Sequence, residues 1–145
     1  MNEIKMSRAA MLADESGGLS KYPHIIPPLG FSPIDRNGFL ALPGAAGTDL
    51  VLETIPAISP GYGGWIRLIG LTSTDFPNSF FTIRMGGAPL RDYTRVGTNI
   101  GSTDTPRECF IELKPNYDLQ LLVSYTAAAV GVRWTLFGWS YQVGR

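Results

Sequence analysis

Between residues 50 and 141, apolar side chains return at every second position in short runs, with glycine, proline or asparagine between one run and the next. A period of two places alternate residues on opposite faces of a pleated strand, so this pattern commits the chain to β-structure. Residues 50–58 (LVLETIPAI) read as a first strand, broken near Pro56. In residues 64–72 (GWIRLIGLT), strict alternation puts Trp65, Arg67, Ile69 and Leu71 on one face and Ile66, Leu68 and Gly70 on the other. Residues 80–85 (FFTIRM) gather Phe81, Ile83 and Met85 opposite Phe80, Thr82 and Arg84, and Gly86-Gly87 then marks a tight turn. Residues 108–113 (ECFIEL) turn Cys109, Ile111 and Leu113 inward, and residues 118–126 (DLQLLVSYT) align Leu119, Leu121, Val123 and Tyr125. A last strand covers residues 132–141. With no alternation of strands and helices, the expected fold class is all-β, an antiparallel β-sandwich or barrel.

The last strand carries an anomaly. Val132, Trp134, Leu136 and Gly138 share one face, while Arg133, Thr135, Phe137, Trp139 and Tyr141 share the other, so both faces are apolar near its end. A sandwich strand ordinarily keeps one face wet. Phe137, Trp139 and Tyr141 are therefore expected to lie under the N-terminal part of the chain, under another subunit, or open for binding.

Ahead of this body, residues 1–49 form a segment of different character. Prolines at 23, 27, 28, 33 and 43 and glycines at 17, 18, 30, 38, 44 and 47 leave no room for a long regular element. Residues 1–16 hold one short helical signal around Ala9, Ala10, Met11, Leu12 and Ala13, stopped by Gly17-Gly18. Residues 18–49 read as extended or polyproline-like chain. The division expected is an arm over residues 1–49 and a sandwich over residues 50–145. A segment of this composition is ordered only where something holds it, so the arm is expected to lie on a partner chain. Its anchors would be Ile25, Ile26, Leu29, Phe31, Ile34, Phe39, Leu40 and Leu42, joined by Phe137, Trp139 and Tyr141 of the body.

Charge and composition narrow the function. Twelve basic and twelve acidic residues cancel, and no Lys/Arg run appears, which argues against nucleic acid as a partner. No apolar stretch is long enough for a membrane helix, and the start MNEIKMSRAAML shows no secretory leader. A single cysteine excludes an internal disulfide and suggests synthesis in a reducing cytoplasm. One histidine, His24, and one cysteine, Cys109, make no credible metal set, so no cofactor is expected. Cys109 sits at an inward strand position, where a thiol behaves as a small hydrophobe. Glycines at 61, 63 and 64 lack the lysine and helix of a phosphate loop, and the scattered carboxylates form no evident catalytic pair. Trp65, Trp139, Tyr93 and Tyr141 are candidates for a sugar-stacking platform, although core filling or a subunit contact is the commoner use of such aromatics.

Several stretches carry a likeness. GWIRLIG at 64–70, FTIRMGGAPLRDY at 81–93, FIELKPNYDLQLLV at 110–123 and VRWTLFGWSY at 132–141 together cover about the last half of the chain. In these the body resembles small bacteriophage virion proteins with β-sandwich folds. That resemblance implies a jelly-roll body and a non-enzymatic role as a decoration, cement or neck accessory protein in the virion. It also implies partners in the major capsid or connector protein and assembly as a homo-oligomer, a trimer among the candidate symmetries. The alternative from a different class is a carbohydrate-binding module that meets the host surface.

Overall fold

A computed structural model describes residues 30–143. Its eight strands are β1 (Ser32–Ala41), β2 (Gly47–Ile55), β3 (Tyr62–Ser73), β4 (Ser79–Met85), β5 (Ala88–Pro89), β6 (Arg107–Leu113), β7 (Leu119–Tyr125) and β8 (Gly131–Gln142). They form two four-stranded antiparallel sheets, ordered β1-β8-β3-β6 and β2-β7-β4-β5. Every connection except the β4–β5 hairpin passes from one sheet to the other. This is the eight-stranded jelly-roll form of the sandwich.

The inward faces supply the core. From the first sheet come Ile66, Ile69, Leu71, Ile111, Val132 and Leu136; from the second come Ile55, Phe81, Ile83, Leu119, Leu121 and Val123, all buried. The alternation expected for residues 80–85, 108–113 and 118–126 is the alternation observed. Gly86 and Gly87, with φ of 62° and 87°, make the two-residue turn that pairs Met85 with Ala88. Left-handed backbone at both turn positions suits the twist of a tight hairpin, and glycine adopts it without a Cβ clash.

Two expectations need correction. The sandwich begins at Ser32, inside the segment read as an arm over residues 1–49. β1 pairs with β8 in unbroken register from Ser32↔Ser140 to Ala41↔Gly131. The breakers Pro33 and Gly38 are accommodated within it. Among the described residues β1 is an edge strand with β8 as its sole strand neighbour, and an edge tolerates proline. Gly38 lies opposite Trp134, whose indole occupies the space a Cβ would take, 2.5 Å from Trp134 Cζ2. Gly38 is thus the imprint of a close aromatic contact. The helix expected within residues 1–16 lies outside the described residues.

The second correction concerns β3. Its register slips between Ile66 and Leu68 against both β6 and β8, so Arg67 is a bulge residue. Beyond the bulge the parity reverses. Ile66, Ile69 and Leu71 all enter the core, whereas Leu68 packs with Trp139 in a separate cluster outside it.

The two sheets are also tied by a polar contact at the β1–β2 side. Arg36 Nη1 reaches Glu53 Oε2 at 3.5 Å, and Trp134 Nε1 donates to Glu53 Oε1 at 3.2 Å. One carboxylate thereby satisfies the indole N–H that Trp134 carries into the interior.

Candidate functional site

The outer face of the first sheet is where the anomalous last strand shows itself. β8 sends Phe137, Trp139 and Tyr141 outward, and β3 adds Leu68 and Trp65, the latter directly opposite Trp139. Phe31, just before β1, folds onto this face. Its ring stacks on Tyr141 at 4.8 Å between centroids and meets Trp139 edge-on at 6.5 Å. Trp139 is consequently only 6% exposed, although it projects away from the core.

Arg67 completes the arrangement. Its guanidinium carbon lies 4.2 Å from the centroid of Phe110 and 5.5 Å from that of Trp139, and the group pairs with Glu108 at 3.8 Å. The bulge gives Arg67 this position between the two rings, where an arginine plane gains cation–π attraction. Phe110 itself remains 68% exposed. The face is apolar, aromatic and incompletely covered.

The expected anchor residues divide into four groups. Ile25, Ile26 and Leu29 lie outside the described residues. Ile34, Leu40 and Leu42 serve the chain's own core, Leu42 being buried and the other two packed against it. Phe31 joins Phe137, Trp139 and Tyr141 on the outer face. Phe39 is exposed at the far end of β1, with the Arg133 guanidinium 4.7 Å from its ring. Of the four candidates for a sugar platform, Trp65, Trp139 and Tyr141 share this outer face, and Tyr93 lies apart from them. Trp139 is covered by Phe31, and Tyr93 is held against the thiol of Cys109.

Cys109 donates its S–H to the Ile66 carbonyl at 3.4 Å and receives a hydrogen bond from Tyr93. Burial, the largest influence, pushes the Cys109 thiol from an ordinary 9.0 up to about 12, and Tyr93 from 10.0 to about 12. Such a thiol is no nucleophile at neutral pH. A stability effect follows with a definite sign. Both groups keep their protons longer when folded, so their contribution is complete below about pH 9 and is lost as pH climbs towards 12. Melting temperature measured from pH 7 to 11.5 is expected to fall above pH 9, with a shallower fall in Cys109→Ala. An unchanged slope in that variant would remove Cys109 from the explanation.

A second feature lies on the outer face of the other sheet. Asp49, Thr82, Arg84, Arg95 and Ser124 line an open groove of about 450 Å³. Arg84 Nη2 meets Asp49 Oδ2 at 2.7 Å, and the Ser124 hydroxyl accepts from the Asp49 N–H at 2.9 Å. Among the described residues, no group of three or more His, Cys, Asp or Glu could hold a metal ion.

Comparison with protein-family models, curated proteins and solved structures finds no match to this chain.

The sequence pointed to the outer face through the aromatic run in β8 and through Phe110, which alternates away from the inward Cys109 and Ile111, but the place of Arg67 between the rings was hidden by the bulge. The groove was hidden for another reason. Asp49 and Arg84 are 35 positions apart, Asp49 and Ser124 are 75, and no local pattern joins them.

Proposed function

We propose that this chain is a non-enzymatic structural protein of a bacteriophage particle, which decorates or stabilises the capsid or neck. One observation carries the reading: the chain enters its jelly roll across an aromatic outer sheet face that it covers only in part. Phe31 occupies the Trp139–Tyr141 end, while Phe110 at the other end stays open. Large apolar side chains held on a rigid sheet suit contact with another protein, where aromatics and arginine supply most of the binding energy. The 29 residues before Gly30 include Ile25, Ile26 and Leu29, which would anchor the arm on neighbouring capsid or connector subunits. Holding such an arm in place carries an entropic cost, which burial of those apolar residues offsets. Formal neutrality also leaves little repulsion between copies in a symmetric oligomer.

The test is co-sedimentation with particles that lack the protein. The full chain should bind to saturation, and a variant without residues 1–29 should stay in the supernatant. Equal binding by both would refute docking through the arm.

A further inference from the structure

We propose that the groove on the outer face of the second sheet binds an acidic saccharide, with the sugar carboxylate on Arg95 and the ring hydroxyls along the threonines. This site lies on the sheet opposite the aromatic face and does not depend on the structural role proposed above.

Thr82 of β4 and Ser124 of β7 floor the groove, Asp49 of β2 forms one wall and Arg95 the other. Its volume, about 450 Å³, suits a ligand of one or two sugar rings. The charges are unequal. Arg84 is engaged by Asp49, whereas Arg95 makes no ion pair among the described residues. Its guanidinium instead lies 3.8 Å from the Phe80 centroid. Stacking fixes the plane of the guanidinium and leaves the N–H donors at its edge, the geometry a carboxylate accepts in bidentate fashion.

The two walls share a backbone peculiarity. Asp49 and Arg95 have φ of 51° and 56°, in the left-handed region that non-glycine residues seldom enter. Such conformations cost of order 1 kcal/mol or more and concentrate at ligand sites. Here each one places a charged side chain on the same groove. The hydroxyls are matched to a polyol. Thr82 accepts the Arg95 N–H at 3.3 Å and keeps its own proton to donate. Thr94 and Thr126, also in the lining, donate to the carbonyls of Leu90 and Asn78 and keep lone pairs for sugar O–H groups. With two arginines against one aspartate, the lining fits a monoanionic carboxylate better than a phosphate dianion. Phe80 lies under Arg95, so the sugar is held by polar contacts and not by ring stacking.

The experiment is a titration of the full chain, followed by amide shifts of Thr82, Arg95 and Ser124, with D-glucuronate, D-glucose and inorganic phosphate as separate probes. Glucuronate should bind with a Kd of about 1 mM, and glucose and phosphate at least tenfold more weakly. Arg95→Gln, a change at an exposed loop position, should weaken glucuronate tenfold without moving the melting temperature. Thr82→Val, which retains both arginines, should weaken it severalfold. Equal binding of glucose, or binding indifferent to Arg95→Gln, would overturn the assignment. Phosphate binding as tight as glucuronate would reduce the groove to an inorganic-anion site and overturn it as well.

Discussion

Removal of residues 1–29 should leave a body that unfolds cooperatively within a few degrees of the full chain, whereas removal of residues 1–49 should leave no cooperative fold. Every described strand of both sheets lies at or after Ser32, so the shorter deletion removes none of them. The longer one removes all of β1 and the start of β2. Leu42 goes with it, as do Ile34 and Leu40 from the margin of the core. A fully buried leucine is worth about 1.5–3 kcal/mol, and two half-buried neighbours add a comparable amount. β8 would become an edge strand, and Glu53 would lose Arg36 while still facing the Trp134 indole. Losses of about 3–6 kcal/mol, with the β1–β8 hydrogen bonds lost besides, take up a large part of a domain's stability of about 5–15 kcal/mol. Urea denaturation of both variants checks this. A cooperative transition in the longer deletion would show that β1 is dispensable.

Gly138→Ala should be the most damaging single substitution described here. Gly138 lies opposite Ile66, where the β3 bulge brings the backbone close, and a Cβ there would penetrate the Trp65 carbonyl oxygen and crowd the Ile66 Cα. These are main-chain atoms of a central strand and cannot swing aside. A loss of about 3 kcal/mol is expected, the upper part of the range for overpacked sites. In melting temperature that is on the order of 10 °C. Gly38→Ala supplies the contrast. Its nearest neighbours are atoms of the Trp134 side chain, which can shift, so about 1 kcal/mol is expected. Equal melting temperatures for the two variants would mean that the bulge yields more readily than its geometry implies.

These two glycines also mark what the sequence could and could not disclose. Where the inward and outward sets are set by strand periodicity alone, as in Arg107–Leu113, burial follows the written alternation from Glu108 to Leu113. That information is local. Pro33 and Gly38 misled because their meaning depends on neighbours distant in sequence, an unpaired strand edge in one case and the Trp134 indole in the other. Arg67 misled because one inserted residue reverses the parity of all that follows. β5, only two residues long, is too short to show any period. The crowded face of β8 was legible, since Phe137, Trp139 and Tyr141 lie on a single strand. Phe31 covering that face, and Arg95 lining one groove with Arg84 and Asp49, are products of the fold.

The most direct test of the structural role is an image of the assembled particle, sharp enough to place two four-stranded sheets. Jelly-roll density should recur at symmetric positions on the capsid or neck, with the chain ahead of Gly30 crossing onto an adjacent subunit. Particles purified to homogeneity, complete and infectious yet holding no copy of this protein, would contradict it.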